Sequence, residues 1–421
     1  MLLALVLAGC GSASPGPDVG GTLTVYTDLP FGGPQQDVMT SLYDGEWLAL
    51  LSCRRHGRID LHCQSDEVNG HLVTLARVED GNASGWDPAD ASAAATNAVQ
   101  NNGAIAMIGD FDSAATATSL PITNAGDLLQ VSPASPYVGL TDQSPFDDKG
   151  EPGSYYPAAG AQTFARLMPT DAEEARATVS YMQSLGVTRL FAVTDTAPYA
   201  SYDSVIATMV AADARQSGIT LAGQAQVNSS ANALDTGYSA VAQAIAASGA
   251  DAVIVGAAPD VGIEALWQEL FTQLPHVRLF APSTLATNPF LNAIGNAVSA
   301  TYVTSPILPL NQYGPQAQGV LKAYRREWRL TPTVWSLYGY EAMESVLAAI
   351  NRAAKHGHAG DRLAVAHAYF GLGYRHSVIG GYTINSHGDT SLSRFVGYIV
   401  KQSAGGSFAL ALKRRYLGGG A

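Results

Sequence analysis

Three times in this chain a helix-like run stops at a glycine and a largely apolar run of strand length follows directly or within two residues: Gly103 before 104–108, Gly186 before 187–193 and Gly249 before 252–255. A continuous apolar run of strand length suits a parallel strand covered by helices on both faces, because a sheet with one wet face would alternate. The recurrence predicts an α/β protein with parallel-sheet cores. Thr22-Leu23-Thr24-Val25-Tyr26 is a further β-rich run, followed by the turn-rich Asp28-Leu29-Pro30-Phe31-Gly32-Gly33-Pro34. At 421 residues, 47% apolar and 14% charged, the chain has material for two folded domains and is not a disordered one.

The stretch 87–141 places two polar loops side by side. Asp87-Pro88 reads as a helix start, with Asp as the cap and Pro at the first helical position. An Ala-rich run follows to Gln100, and the strand 104–108 ends in Gly109-Asp110-Phe111-Asp112-Ser113. Ser113 is expected to cap the next helix, whose free backbone N–H groups attract a carboxylate. A second strand, 128–131, ends in Ser132-Pro133-Ala134-Ser135. Both loops open at the carboxyl ends of neighbouring strands, where open α/β sheets bind ligands. Further on, Thr170-Asp171-Ala172-Glu173 matches a capping box before a helix over 172–184 and marks the start of a new domain. The stretch 142–162, rich in Pro, Gly, Asp and Tyr without periodicity, reads as a surface excursion between the two halves, tolerated rather than functional. Ser305-Pro306-Ile307-Leu308-Pro309 and Gly380-Gly381-Tyr382 mark two further crossings, so each half is built from separated pieces of chain.

Charge and motifs exclude several functions. The net charge of −12 comes from 35 acidic against 23 basic residues, and no basic block exceeds Lys413-Arg414-Arg415, so nucleic acid is not an expected partner. The chain opens on an apolar run to Cys10 and then a Gly/Ser/Pro stretch to Gly21, the pattern of a signal segment, cleavage site and tether. Leu7-Ala8-Gly9-Cys10 resembles the bacterial lipobox, which implies acylation of Cys10 and membrane attachment through lipid alone. No later run reaches the ~18 apolar residues of a transmembrane helix. Cys53 and Cys63 are an isolated pair, most simply a disulfide in an exported protein. A metal site with His56, His62 and His71 is the alternative, but zinc sites space their cysteines more tightly, so no metal is assigned. Gly-x-Ser-x-Gly, Walker and His-Glu-x-x-His motifs are missing, Gly371 and Gly373 lack a third glycine, and His356-Gly357-His358 reads as a solvated loop. The expectation is a binding protein without catalytic residues or cofactor.

Six landmarks carry a family resemblance: Gly109 to Ser113, Val131 to Ser135, Arg166-Leu167-Met168-Pro169-Thr170-Asp171, Asp195-Thr196-Ala197-Pro198-Tyr199-Ala200, Tyr302-Val303-Thr304-Ser305-Pro306 and Gly339-Tyr340-Glu341-Ala342. In order and spacing the chain resembles, over about residues 22–412, the extracytoplasmic solute-binding proteins of branched-chain amino acid ABC transporters. These have the type I periplasmic binding fold related to the leucine/isoleucine/valine-binding protein. The resemblance implies two Rossmann-like lobes joined by three crossings: 1–21 leader and tether, 22–166 and 306–379 one lobe, 167–305 and 380–416 the other. It also implies that the Ser113 hydroxyl and the Ser135 backbone hold a ligand carboxylate and that the Ala134 carbonyl accepts from its ammonium. Phe111 would line the cleft, and Tyr199 would close over it from the opposite lobe. The Glu that the family usually places after a second-lobe strand is replaced here by Ala281-Pro282-Ser283-Thr284, and an expected aromatic by Ala257-Ala258-Pro259-Asp260. Asp112, Asp195 and Asp260 are the candidate replacements as ammonium partner. The implied role is capture of a small ligand, a branched-chain or other aliphatic amino acid first, for delivery to an ABC permease. The alternative is a sensor of the same fold for an amide, urea or aromatic acid.

Overall fold

The computed structural model describes residues 21–33, 35–55, 58–61, 67–68, 70–146, 149–157, 162–230, 237–402 and 408–417. Cys10 and Cys63 lie outside them, and with them the acylation site and the Cys53–Cys63 bridge expected from sequence. The chain opens with β1 (Thr22–Asp28), α1 (Gln36–Leu51), a hairpin of β2 (Ser52–Arg55) and β3 (Arg58–Leu61), then β4 (Glu67–Val68) and β5 (His71–Val78). A small hairpin, β6 (Gly81–Asn82) and β7 (Gly85–Trp86), leads to α2 (Pro88–Gln100), β8 (Ala104–Ile108), α3 (Ser113–Ala125), β9 (Leu129–Ser132) and β10 (Phe164–Arg166). Next come α4 (Asp171–Ser184), β11 (Arg189–Asp195), α5 (Ser201–Gln216), β12 (Thr220–Val227), α6 (Gly237–Ser248), β13 (Ala252–Gly256), α7 (Val261–Gln273), β14 (Arg278–Ala281), α8 (Asn288–Ala293) and β15 (Thr301–Ser305). The last third holds α9 (Pro315–Trp328), α10 (Trp335–Ala354), α11 (Arg362–Phe370), a hairpin of β16 (Arg375–Ser377) and β17 (Gly380–Tyr382), and β18 (Arg394–Gln402) with β19 (Phe408–Leu417).

Besides the three two-stranded hairpins, the described strands form two large sheets, ordered β10-β9-β8-β1-β5-β4 and β12-β11-β13-β14-β15-β18-β19. The pairs from β10 through β5 are parallel, as are those from β12 through β15, while β18 and β19 add an antiparallel edge to the second sheet. β8 and β13 are buried along their whole length, which is why their sequences are apolar without alternation. After β10 the chain leaves the first sheet for the second. After β15 it returns, laying α10 against α1, and before β18 it crosses again. The α1–α10 contact is backbone on backbone: a Cβ on Gly339 would lie 2.0 Å from the Leu42 carbonyl oxygen, and one on Gly45 2.2 Å from that of Ser336. Only glycine permits that approach. Arg362, entering α11, donates to the carbonyls of Val99, Asn101, Ala104 and Gly126, a cation placed at the C-terminal ends of α2 and α3.

Local capping follows the sequence at one helix and departs from it at two. Asp87 caps α2, accepting from the Ala89 and Asp90 N–H groups at 2.8 and 3.2 Å, with Pro88 at the first position. Ser113 is not the cap of α3. Asp112 holds the N-cap position without a side-chain capping bond, and the Ser113 hydroxyl instead accepts from the Tyr137 N–H at 3.3 Å. Thr170 stands at the N-cap of α4, but its side chain makes no capping bond. That helix start is tied down by the Asp171 N–H donating to the Pro136 carbonyl at 3.0 Å, a tertiary contact that takes over from the local one. Most described residues of the stretch 142–162 are exposed or half-buried, as a surface excursion requires, but two of its side chains turn inward. Glu151 is buried and accepts from the Tyr137 hydroxyl at 2.6 Å and from that of Tyr155, itself buried. Tyrosine carries an apolar body with one polar tip, so a Pro/Gly-rich segment can fold inward around such a network.

Arg166, the last residue of β10, is fully buried and spends its guanidinium on four partners. It meets the Asp389 carboxylate at 2.8 Å, the Ser135 carbonyl at 3.0 Å, the Tyr137 carbonyl at 2.5 Å and the Thr141 hydroxyl. Its backbone N–H donates to the Gly388 carbonyl at 2.9 Å. Desolvation would raise the Asp389 pKa, but the Arg166 charge and hydrogen bonds from Thr141, Arg166 and Asn385 outweigh it and hold the carboxyl below its usual range. Removing one member of a buried pair leaves the other charge unpaired. Arg166→Met is expected to lower unfolding stability by about 3–5 kcal/mol, and Arg166→Met combined with Asp389→Leu to lower it by less, in urea denaturation of the full chain. A double-variant loss equal to the sum of the separate losses of Arg166→Met and Asp389→Leu would show that the pair is not coupled.

Candidate functional site

The two polar loops are brought together at the carboxyl ends of β8 and β9, which pair in parallel. Ser132 is the stitch: its hydroxyl donates to the Asp110 carbonyl at 2.7 Å and accepts from the Ala134 and Ser135 N–H groups at 3.2 and 2.9 Å. The Ser135 hydroxyl shares a 2.7 Å hydrogen bond with Thr116 on α3 and reaches the Asp110 and Phe111 carbonyls at 3.3 and 3.4 Å. Ser135 is fully buried, and the N–H expected to hold a ligand carboxylate is engaged by Ser132, so this residue braces the loop. The anion-seeking group that remains is the start of α3, a helix whose cap side chain makes no bond to the first-turn N–H groups. Ser113 and Ala134 lie beside it, each less than a tenth exposed.

Phe111 presents its ring edge-to-face to Trp335, centroids 4.7 Å apart, so the start of α10 contributes an aromatic wall that sequence reading did not identify. A second aromatic contact, Tyr137 on Tyr202 at 4.9 Å, joins the loop after β9 to α5 beside the other sheet. The backbone of Tyr199 lies in the short 3-10 turn Pro198–Ala200 after β11, and its side chain falls outside the described residues.

The three candidate ammonium partners are not equivalent. The buried Asp195 accepts from the Ala197 and Ser229 N–H groups, both at 3.0 Å, and from the Ser229 hydroxyl at 2.6 Å, fastening the loop after β11 to the one after β12. Asp260 caps α7 through the Ile263 N–H at 2.6 Å. Asp112 alone stands at the loop junction without a capping bond. Desolvation, then the charge of Asp110, pushes its pKa up to about 6.

Asp203, in the first turn of α5, is raised well above the usual carboxylate range by desolvation and by the charges of Asp112 and Asp171, so acids from both sheets converge here. Glu174, on α4, reaches the loop that lacks the family's Glu: Ser283 donates its N–H to Oε1 and its hydroxyl to Oε2, both at 2.6 Å. Desolvation drives the Glu174 pKa up to about 8 even though those bonds oppose it. No local motif announces Asp203 or Glu174. Both read as ordinary first-turn acids that favour a helix N-terminus, and only the fold carries them to the cleft.

Polar loops and aromatic contacts meet between two parallel-sheet lobes, the architecture of a periplasmic-binding-protein fold. The chain belongs to the periplasmic binding protein family, whose model matches residues 29–406. Among solved structures it resembles a leucine-binding protein from Thermotoga maritima, at 20% identity and TM-score 0.71 over 93% of this chain and 98% of that one. It also resembles a Rhodopseudomonas palustris solute-binding protein of an ABC transporter in complex with p-hydroxybenzoic acid, at 15% identity and TM-score 0.70 over 94% and 97%. A third is a branched-chain amino acid transporter substrate-binding protein from Streptococcus pneumoniae in complex with isoleucine, at 16% identity and TM-score 0.65 over 93% and 100%. At these identities the likeness carries the fold. No curated protein matches the chain in sequence.

A carboxyl whose folded pKa is raised favours the folded state most while it is protonated. Its contribution is fully present below the unfolded value and is lost as pH rises through the folded one. For Glu174 that window runs from the ordinary 4.5 to about 8. The melting temperature of the ligand-free protein is expected to fall as pH rises across that range, and Glu174→Gln to flatten the slope. A Glu174→Gln profile parallel to the wild type would show that Glu174 stays ionised throughout.

Proposed function

We propose that this protein is an extracytoplasmic solute-binding protein that captures an α-amino acid, an aliphatic one first, and hands it to an ABC permease. The observation that carries the reading is the pairing of opposite electrostatic ends. The uncapped start of α3 favours a carboxylate, while Asp112 and Asp203, with Asp171 behind them, favour a cation. A zwitterion satisfies both ends, whereas an aromatic acid satisfies one and leaves the carboxylates unpaired. Neighbours of this fold are described with leucine, isoleucine and p-hydroxybenzoic acid, so the fold accommodates both classes and the acids favour the amino acid. Ser113, Ala134 and Phe111 are the proposed first-lobe contacts, Asp203 and Tyr199 those from the second. We place the lobe boundaries after 166, 305 and 379, the lipid anchor on Cys10 and a disulfide between Cys53 and Cys63. Binding closes the lobes and does no chemistry.

The test is a thermal-shift screen of the full chain, refolded to remove co-purified ligand, against aliphatic amino acids and aromatic carboxylates. Ligand at 100 times its dissociation constant adds about 2.7 kcal/mol of stability. An aliphatic amino acid is expected to raise the melting temperature, and Asp203→Asn to weaken its binding by about 1.5–3 kcal/mol, the range for a hydrogen bond to a charged group. A response confined to carboxylates lacking an ammonium would overturn the amino acid assignment.

A further inference from the structure

Beneath the loop Gly109–Ser113 three carboxylates converge from three adjacent strands. Asp28 ends β1, Asp80 follows the end of β5 by two residues, and Asp110 follows the end of β8 by two. Parallel pairing sets β1 between the other two, with Asp28 opposite Val78 and Thr27 opposite Ile108, so the three side chains arrive at one level of the sheet's carboxyl edge. One oxygen from each lies within 4.8 Å of the other two. That is the greatest separation of two oxygens bound on opposite sides of a cation at about 2.4 Å, a distance typical of Ca²⁺.

Clustering alone would mean little, but these carboxylates are also fully buried and almost wholly unpartnered. Asp28, Asp80 and Asp110 are each 0% exposed. Among the described residues no donor outside the cluster makes a hydrogen bond to either oxygen of Asp28, either oxygen of Asp80, or Oδ1 of Asp110, while Asp28 and Asp110 stand close enough to share a proton. The sixth oxygen, Asp110 Oδ2, is held by the Ser119 hydroxyl and by the Gln130 amide at 3.3 Å, and Gln130 is itself oriented by the Thr123 hydroxyl at 2.5 Å. One oxygen of Asp110 is thus fixed by a second layer while the other is left to the cluster, the arrangement that orients a metal-binding carboxylate. Among the described residues no ion pair involves these three acids. Buried unpaired carboxylates are costly, and a small buried cluster of oxygens without nitrogen or sulfur donors suits a hard cation.

We propose that Asp28, Asp80 and Asp110 bind a hard divalent cation of the Ca²⁺ class, at the root of the first-lobe loop and separate from the ligand seat. The site stands whether or not the ligand is an amino acid. The full chain, stripped with chelator and dialysed, is titrated with calcium chloride by calorimetry and by melting temperature, against sodium chloride at matched ionic strength. Saturable one-to-one heat and a rise in melting temperature beyond the sodium control are expected. Asp28→Asn and Asp80→Asn should abolish both responses, and Gln130→Ala should weaken affinity about 10–100-fold, the usual effect of losing an outer-layer partner. The wild-type titration decides even if a variant fails to fold: heat and melting temperature indistinguishable from the sodium control would overturn the site. So would folded Asp28→Asn and Asp80→Asn proteins that keep wild-type calcium affinity.

Discussion

The Arg166 guanidinium ties together parts of the chain that have to move or hold still together. It sits where the chain leaves the first sheet, grips the Ser135 and Tyr137 carbonyls behind the binding loop, and pairs with Asp389 on the third passage between the sheets. A buried charge of this kind adds little net stability over an apolar replacement, because desolvation consumes most of the Coulombic gain. Its value is geometric. Five fixed donors in one plane dictate where each carbonyl and carboxylate stands, so the loop that presents Ala134 and Ser135 and the passage carrying Asp389 share one register.

From that anchor the first-lobe seat is assembled by small polar groups. Ser132, Thr116 and Ser135 exchange hydrogen bonds within and between the two loops, and Ser113 holds the Tyr137 N–H. Every one of these groups is buried or nearly so, and a buried polar group left unmet costs more than a satisfied one contributes. The network therefore specifies one loop conformation. A ligand meets a surface already formed and pays little ordering entropy on that side.

Much of this framework was visible in the chain because it is written in local signals. The strand 104–108, the Asp87-Pro88 start of α2 and the glycine-to-strand junctions carry their own periodicity and capping chemistry. Gly339 belonged to a recognisable motif, and its reason is now physical, the Leu42 carbonyl pressed against its Cα. What stayed hidden depends on long separations. Glu174 meets Ser283 across 109 residues of sequence, Arg166 meets Asp389 across 223, and Asp28 meets Asp80 and Asp110 only because β1 lies between β5 and β8. Where local and tertiary demands competed, tertiary contacts prevailed: Ser113 and Thr170 carry cap-like sequences, yet the Tyr137 N–H and the Pro136 carbonyl determine what those helix starts bind.

The acids around the cleft also bear on how binding and protonation are linked. Asp112 and Glu174 have pKa values pushed up to about 6 and about 8 by desolvation, and Asp203 is raised as well, because among the described residues no cation offsets their burial. On the proposed reading, the ammonium of an amino-acid ligand supplies the missing charge. It lowers those pKa values again and draws protons off, so affinity for a cationic group is coupled to proton release and strengthens as pH rises. The same rise in pH weakens the empty protein, whose raised carboxyls favour the protonated folded state. An acidic cleft of this kind is thus least comfortable when empty at neutral pH. In the proposed function, closing around a molecule that carries positive charge offsets this cost, which makes the electrostatics of the empty site part of the selectivity proposed for it.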